Sequence, residues 1–501
     1  MSGATSSPSR RARALTAASL VLIVLAPLAL AAPARAQGDS GDPPSILLVV
    51  TDDQRWDTLG AMPEVRRSLV GPGVTFTQAV TTSSLCCPSR ASILTGAYPH
   101  TTGVYRQVSP YGGFRSFDDT RTIATVLQDA GYRTGYFGKY LDAYQSDALA
   151  GYVPPGWDRW GAFVHAAYLD YGLTIDGTVT RYGTGPEDYS TDVVADLAEG
   201  FIRTNDGPVF AVYAPAAPHA PATPSESDAG AFEDLPAWRP ASFNEPDVSD
   251  KPAYVRAFDP LGPDRTEQLD RLRLDQYRAL QAVDRAVDRL LTALRDTGRL
   301  DDALVIFTSD NGLQWGEHRW TKKEVPYEEA IRVPLVVRAD AIVGGAGTDD
   351  HLVGNIDLAP TIADVAGVEL PGADGRSLVP LLTRDDEGWR DAILIEHLRG
   401  ANPVPTYCAV RTERHLFAAY ETGERELYDL SVDGSQLRNL AGRGGDVEAR
   451  LEATLRDLCD PTPPGFEFET SLGVTMLALG AALAFAAIAR RLVAGPRASA
   501  G

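Results

Sequence analysis

The sequence has little cysteine and little positive charge. Its 501 residues include four cysteines, too few for a disulfide-stabilised scaffold and spaced unlike the ligands of a zinc finger or ribbon. Lysine and arginine number 46 against 67 aspartate and glutamate residues, a formal net charge of −21. This balance excludes a nucleic-acid-binding protein, which needs a basic surface to displace counterions from phosphates. Any anion that the protein binds must be held by local cations and oriented amides.

Long uncharged apolar runs occur only near the two ends of the chain. The run Ala14–Ala32 follows Arg10 and Arg11 and precedes the small-residue motif Ala34–Ala36. This order predicts a secretory signal peptide over residues 1–36, in preference to an N-terminal membrane anchor. The paired arginines resemble a twin-arginine export signal, but the residues after them favour general secretion.

The second apolar run, residues 472–489, is followed by arginines and by no acidic residue. It predicts a transmembrane anchor with a cytoplasmic basic tail over residues 490–501 and the main domain outside. A processed sorting segment and a buried core helix are the alternatives. We therefore expect an exported protein, anchored at the cell surface through this segment or secreted.

Between the ends, short apolar runs alternate with helical patterns, and an apolar content of 44% excludes wholesale disorder. In the longest helical pattern, from Leu269 to Leu294, apolar residues recur every three or four positions, and Gly298 suits the C-terminal cap. The alternation predicts an α/β fold, a large, mostly parallel sheet sandwiched by helices over residues 42–385. The predicted strands are Ser45–Thr51, Arg133–Phe137, Val209–Tyr213, Ala303–Ser309 and Val333–Val337.

Two later segments have a different character. Residues 220–263 are rich in proline, aspartate and serine, which predicts a long surface excursion. Residues 390–460 combine antiparallel strand patterns with one helix and predict a smaller C-terminal α+β subdomain. Cys408 and Cys459 fall within it and form a candidate disulfide in an oxidising compartment.

Three acidic residues and one asparagine follow two of the predicted strands. Asp52 and Asp53 end the first, and Asp310 and Asn311 end another. Because the carboxyl ends of parallel strands meet at one edge of a sheet, these side chains are expected to lie together. Carboxylate and amide oxygens suit Ca²⁺ or Mg²⁺ rather than zinc, and a cation offsets the repulsion between the carboxylates.

The segment Leu85–Gly96 carries adjacent cysteines, Cys86 and Cys87. Pro88 suits the first turn of a helix and Gly96 its end, and a helix N-terminus favours an anion. Adjacent thiols rarely pair with each other, so they are either two small buried apolar residues or a special chemical group.

This segment, LCCPSRASILTG, resembles the signature of type I, formylglycine-dependent sulfatases of the alkaline phosphatase-like superfamily. It is most similar to the subgroup that contains N-acetylglucosamine-6-sulfatases. The resemblance spans about Ser45 to Leu382. It implies the alkaline phosphatase-like fold and a sulfuric ester hydrolase that releases inorganic sulfate from a sulfated sugar or an aryl sulfate. Further matches follow in order at Thr51–Gln54, Gly138–Leu141, Ala217–His219, Ser309–Gly312 and Asn355–Pro360.

The resemblance also implies a modified residue. A formylglycine-generating enzyme would convert Cys86 to 3-oxoalanine (formylglycine) before the chain folds. A hydroxyl of the hydrated aldehyde would then attack sulfur and the ester oxygen would leave; the sulfated enzyme would next expel sulfate as the remaining hydroxyl collapses to the aldehyde. By the same resemblance Ca²⁺, or alternatively Mg²⁺, is held by Asp52, Asp53, the modified Cys86, Asp310 and Asn311.

Further catalytic roles come from the same resemblance. Arg90, one helical turn after Cys86, would fix the diol oxygens. Lys139 and Lys323 would neutralise the sulfate and assist the leaving oxygen, with Lys322 the solvent-exposed neighbour. His219 is the expected general acid.

The sequence departs from the family pattern at Leu141, where many sulfatases have a histidine. His318 is the candidate substitute or substrate contact. A phosphonate monoester or phosphodiester hydrolase of the same superfamily is the first alternative function. A catalytically silent, surface-anchored glycan-binding protein, in which Cys86 stays a thiol, is the second.

Overall fold

The computed structural model describes residues 43–468. The predicted signal peptide, C-terminal membrane segment and basic tail lie outside the described residues. Among residues 43–468, no helix has both the length and the apolar character that a bilayer-spanning helix requires.

The described residues form fourteen strands and twelve α-helices. The strands are β1 Ile46–Thr51, β2 Val74–Val80, β3 Arg133–Gly138, β4 Arg159–Phe163, β5 Tyr171–Ile175, β6 Thr178–Tyr182, β7 Val209–Ala214, β8 Leu304–Ser309, β9 Leu335–Arg338, β10 Gly347–Gly354, β11 Ala392–His397, β12 Tyr407–Thr412, β13 His415–Tyr420 and β14 Arg425–Asp429. The helices are α1 Pro63–Val65, α2 Cys86–Thr95, α3 Pro99–Thr102, α4 Ile123–Asp129, α5 Gln145–Leu149, α6 Ser190–Thr204, α7 Ala253–Arg256, α8 Pro263–Asp296, α9 Glu328–Ile331, α10 Leu358–Ala366, α11 Val379–Leu382 and α12 Gly445–Leu458.

Ten strands build one large sheet in the order β10-β2-β9-β8-β1-β7-β3-β4-β5-β6. The centre, β8-β1-β7-β3-β4, is parallel. The β5–β6 hairpin and β9 pair antiparallel with their neighbours, and β10 and β2 form a further parallel pair. The predicted α/β architecture is confirmed, although the sheet is mixed at its flanks.

Helices cover both faces of this sheet because its central strands are apolar on both sides. In β1, Ile46, Leu48 and Val50 pack with α2, α4 and α10 on one face. Leu47 and Val49 pack with α6 and α8 on the other. The longest helix, α8, spans the predicted pattern and is followed by Gly298 in the left-handed conformation.

A second, antiparallel sheet of four strands, β11-β12-β13-β14, lies in the predicted C-terminal region with α12. A disulfide joins Cys408 in β12 to Cys459, the residue after α12. Strand β11 was not among the predicted strands. The subdomain boundaries at 385 and 390 stay a prediction.

The proline-rich segment 220–263 contains little regular structure apart from α7. Asp228 accepts two 2.7 Å hydrogen bonds from Arg285 of α8, and the Lys251 ammonium donates to the Leu437 carbonyl at 2.9 Å. Such contacts fix the segment against the rest of the fold.

Candidate active site

The acidic pairs lie together because β1 and β8 are adjacent and parallel, with Thr51 in register with Ser309. Asp53 N–H donates to Asp310 Oδ1 at 3.1 Å. Asn311 Nδ2 donates to Asp53 Oδ1 at 2.6 Å. All four polar residues that follow these strands are buried. The strand ends therefore form one continuous, desolvated polar site.

Helix α2 places Cys86 over these carboxylates. Its Sγ lies 3.5 Å from Asp52 Oδ1 and 3.9 Å from Asp53 Oδ1. The Ser89 hydroxyl, one turn further, donates to the Asp310 carbonyl and fixes the helix against β8. Cys86 has no exposed surface.

Lys139 reaches the site because β3 ends in a glycine. Gly138 has φ +124°, and a Cβ there would lie 1.9 Å from the Ala214 carbonyl oxygen, so only glycine fits without a shift. The next residue, Lys139, extends its Nζ to within 2.6 Å of Asp52 Oδ2.

Lys323 enters the same site from the segment that follows β8. Its Nζ contacts Asp53 Oδ1 and lies 2.7 Å from Cys86 Sγ. Its neighbour Lys322 is exposed and donates instead to Asn402 Oδ1 at 3.1 Å. The geometry thus separates the roles of the two adjacent lysines.

Arg90 lies one turn after Cys86 on α2. Its Nε donates to Asp310 Oδ2 and its Nη1 to the Lys139 carbonyl, both at 2.8 Å. Its Nη2 is buried and has no hydrogen-bond partner among the described residues. One N–H group therefore stays available to an oxygen that enters the site.

The electrostatics of the site lower the pKa of Asp52 and Asp53 and raise the pKa of both lysines. Burial opposes ionisation of Asp52, but the nearby Lys139 and then His219 outweigh it and lower its pKa to about 2. Burial likewise disfavours the charged Lys139, yet Asp52 raises the Lys139 pKa above its usual range. Burial raises the pKa of the Cys86 thiol, although both lysines oppose this. An unmodified Cys86 is therefore a neutral thiol and a poor nucleophile.

His219 lies at the entrance of the site. Its Nδ1 is 2.7 Å from the Ala220 carbonyl, which only accepts, so Nδ1 carries the proton. Nε2 then faces Asp53 Oδ2 at 3.6 Å. The Tyr168 hydroxyl donates to the His219 carbonyl at 2.7 Å and holds this turn in position.

The donor set could hold a metal ion. Ligand atoms of Asp52, Asp53, Cys86 and His219 all lie within 4.8 Å of one another. Asn311 Oδ1 is buried with no partner among the described residues, as expected of an acceptor that awaits a cation. Asp310 adjoins this group: its Oδ1 accepts from two backbone amides, and its Oδ2 accepts one bond from Arg90 and can accept another.

A cleft of about 570 Å³ leads away from the site. Asp52, Lys139 and His219 line its inner end, and Leu141 and Tyr168 lie along its wall. Leu141 therefore presents an apolar surface where many sulfatases have an imidazole. The cleft has the concave shape of a small-molecule site.

His318 is held by Glu245 and Tyr327. It is buried, its Nδ1 lies 2.6 Å from Glu245 Oε2, and its ring packs on Tyr327. It does not line the cleft described above. Its Nε2 has no partner among residues 43–468.

Comparison with known proteins agrees with this geometry. The sequence model of the Sulfatase family matches residues 44–368. The chain belongs to the sulfatase family. A second model, that of the N-sulphoglucosamine sulphohydrolase C-terminal region, matches residues 316–460. The predicted family and enzyme class, sulfuric ester hydrolase, are thereby confirmed.

Individual sulfatases show the extent of the similarity. Human N-acetylglucosamine-6-sulfatase is 33% identical over 448 residues, covering 79% of this chain and 81% of the human protein. An extracellular sulfatase SULF-1 homolog of Drosophila melanogaster is 34% identical over 372 residues. That match covers 70% of this chain, which spans only 33% of the fly protein's length.

Among solved structures, that of BT4656 with its substrate D-glucosamine-2-N,6-O-disulfate has the same fold. Its TM-score is 0.76 at 24% sequence identity, covering 85% of this chain and 100% of that chain. The alkaline phosphatase-like fold predicted for this sulfatase is confirmed.

Several cleft residues of this sulfatase were not predicted. Tyr168 and the exposed His165 lie in the loop between β4 and β5, and Gln107 and Asp142 lie on the cleft lining as well. None belongs to a motif, because contacts with a variable substrate carry no fixed spacing. Only Asp142 could have been suspected from the sequence, because it directly follows the motif Gly138–Leu141 that contains Lys139.

Proposed function

We propose that this sulfatase hydrolyses the 6-sulfate ester of a glucosamine-type sugar, with Cys86 as the precursor of its nucleophile. One observation carries the proposal. The side chain at position 86 stands at the N-terminus of α2 between two carboxylates and the Lys323 ammonium, and one of those carboxylates, Asp52, lines a cleft large enough for a sugar. The sugar class is supported by the similarity to N-acetylglucosamine-6-sulfatases.

The proposed nucleophile is formylglycine at position 86. When hydrated, that group supplies a geminal diol whose oxygen attacks sulfur. The raised pKa of the unmodified thiol supports this choice, because a neutral, buried thiol is a weak nucleophile. The step needs a formylglycine-generating enzyme as an earlier partner.

The proposed cation is Ca²⁺, with Mg²⁺ as the alternative. Asp52, Asp53, the side chain at 86, Asp310 and Asn311 would hold it. Bound there, the cation polarises a sulfate oxygen and favours ionisation of the diol. The buried Asn311 Oδ1 without a partner supports this ligand set.

The remaining side chains have distinct proposed tasks. Lys139 and Lys323 hold the sulfate oxygens and offset the charge that develops on them. The Arg90 Nη2 group donates to a diol or sulfate oxygen. His219 keeps its Nδ1–H on the Ala220 carbonyl and presents Nε2 to the leaving sugar oxygen; as the imidazolium, with both nitrogens protonated, it gives the Nε2 proton to that oxygen and becomes neutral. His318 is proposed only as a more distant contact, since Glu245 holds it.

We also propose that the protein is exported. The Cys408–Cys459 disulfide is typical of an oxidising compartment, and the similar fly protein is an extracellular sulfatase. The signal peptide over 1–36, the segment over 472–489 and its membrane attachment stay predictions.

The decisive experiment measures sulfate release from N-acetylglucosamine 6-sulfate and from an aryl sulfate. Hydrolysis of an aryl phosphonate and of a phosphodiester is measured alongside, because these are the substrates of the alternative enzyme class. The variants are Cys86→Ala and the matched control Cys87→Ala, a buried neighbour in the same helical turn. We expect sulfate release that only Cys86→Ala abolishes. Full turnover by Cys86→Ala contradicts the nucleophile, and faster phosphonate cleavage favours the phosphonate hydrolase. Absence of turnover, with an unmodified Cys86 by mass spectrometry, favours the silent glycan-binding protein.

A further inference from the structure

A second cavity, of about 330 Å³, lies beside the segment that carries Lys323. Three cationic side chains line it, Arg265 from the first turn of α8 together with Arg319 and Lys322. Phe258, which is 36% exposed, adds an apolar surface. We call this cavity, defined by these four residues, the basic pocket.

None of the three cations is neutralised by an ion pair with a described residue. Arg265 donates to Gln268 Oε1 at 3.1 Å and to Thr321 Oγ1 at 2.7 Å. Lys322 donates to Asn402 Oδ1 at 3.1 Å. These partners are neutral, so neither cation forms an ion pair at the cavity within residues 43–468.

Arg319 is also held by neutral groups. Its guanidinium donates to three backbone carbonyls, those of Glu245, Pro246 and Phe258, at 2.8 to 3.0 Å. The carboxylates of Asp247 and Glu324 are close enough to interact with the pocket's cations but form no ion pair with them. Carbonyl oxygens orient the group and leave its full positive charge.

This concentration of positive charge is unusual for such an acidic chain. The sequence has 67 acidic and only 46 basic residues, and many of its surface arginines pair with carboxylates, as Arg271 does with Glu267 on α8. Three unpaired cations around one cavity favour an anionic ligand, because a local cluster attracts anions that the net charge repels.

The basic pocket is close to the proposed catalytic centre along the chain. Lys322 immediately precedes Lys323, so their Cα atoms are about 3.8 Å apart. Trp320 Nε1 donates to the Lys323 carbonyl at 3.0 Å and ties the pocket's floor to the catalytic lysine. One short segment therefore supplies both a cation of the basic pocket and the lysine that contacts Cys86.

We propose that the basic pocket binds a second anionic group, a sulfate or carboxylate, of a sulfated glycan chain whose reacting ester lies at Cys86. The inference rests on the proposed function and adds that the substrate is an oligosaccharide with more than one anionic group. The cations hold the anion, and Phe258 packs against a sugar ring. The pocket thus contributes to substrate choice and performs no chemical step.

The test compares Arg265→Gln/Lys322→Gln with Arg271→Gln, a control on the same helix whose arginine points to a carboxylate. Sulfate release is measured from 4-nitrophenyl sulfate and from a size-defined, multiply sulfated heparin tetrasaccharide. We expect the double variant to lower kcat/KM for the tetrasaccharide about tenfold through KM, since two partly exposed charge contacts are lost. The aryl sulfate should be turned over as by the unchanged protein.

A binding assay separates failure of this inference from failure of the proposed function. The Cys86→Ala chain, with and without the double substitution, is titrated with the same tetrasaccharide and with inorganic sulfate. Weaker tetrasaccharide binding by the doubly substituted chain supports the pocket even if no substrate is turned over. Equal binding by both chains, or an equal loss of activity on both substrates, overturns it. Tight binding of inorganic sulfate alone at the pocket also overturns it, because the ligand is then a free anion.

Discussion

The Lys323 ammonium is in direct contact with Cys86, with Nζ 2.7 Å from Sγ. The same ammonium contacts Asp53, so the Lys323 side chain touches both the residue proposed as the nucleophile's precursor and a proposed metal ligand. The two residues are 237 positions apart in the sequence. Their contact gives Lys323 a role that Lys322, its exposed neighbour, does not share.

The first prediction concerns this contact. Lys323→Gln should lower kcat for an aryl sulfate by roughly 10²–10³-fold, because a preorganised donor for the reacting oxygens is lost. Lys322→Gln is the matched control and should leave aryl sulfate turnover unchanged. Steady-state kinetics on both variants check the expectation, and equal losses in the two would remove the distinction between them.

The second prediction concerns the proposed cation. Adding Ca²⁺ to protein depleted of divalent ions should raise Tm, since a ligand at a hundredfold excess over Kd stabilises the fold by about 2.7 kcal/mol. Asp53→Asn should abolish this Ca²⁺-dependent rise. Asp349→Asn, which alters a buried aspartate that contacts His351, should retain it. A rise that persists in Asp53→Asn would place the cation elsewhere.

The third prediction concerns the buried Arg90–Asp310 pair. Arg90→Met leaves the Asp310 carboxylate buried without its cation, and we expect a loss of about 3–5 kcal/mol in unfolding free energy. Arg271→Met breaks only the exposed pair with Glu267 and should leave the unfolding free energy nearly unchanged. Urea unfolding curves measure both. A small loss in Arg90→Met would mean that water or a rearranged side chain compensates Asp310.

The fourth prediction concerns pH. Burial lowers the pKa of His397, in β11, from 6.5 to about 3. Between these values the unfolded chain binds a proton that the folded chain does not, so stability falls as the pH falls. From pH 7 to pH 5 the loss from this residue should be about 2 kcal/mol.

His397→Gln should remove that part of the pH dependence. The exposed His165→Gln variant serves as the control and should titrate like the unchanged protein. Unfolding free energies at several pH values measure the difference between variants, which cancels the contribution of carboxylates. Parallel curves for all three proteins would assign the acid sensitivity to other groups.

The elements that surround the proposed site were predictable because local sequence encodes them. The apolar runs that precede Asp52 and Asp310 mark β1 and β8. Because neighbouring parallel strands end at the same edge of a sheet, the two aspartates could be predicted to lie close together. The strands at the flanks of the sheet were harder to predict from the sequence. The run at 333–337 is as apolar as the central runs, yet β9 pairs antiparallel with β8 because that orientation depends on the connection and not on composition.

Side-chain partners were the least predictable part. His318 was a candidate at the site, but its partner Glu245 lies 73 residues away in a segment without a motif. Asp310 was predicted to be a metal ligand, but its contacts with two backbone amides and with Arg90 were not predicted. Such contacts arise from tertiary packing, which spacing along one strand or helix does not specify.

The complete burial of Cys86 has a consequence for biosynthesis. Residues that cover it arrive late, since Lys323 is added 237 residues after Cys86. At ribosomal rates of roughly 5–20 residues per second, the thiol stays uncovered by Lys323 for about 12–47 s. An enzyme that alters this thiol must therefore act before the chain folds over it.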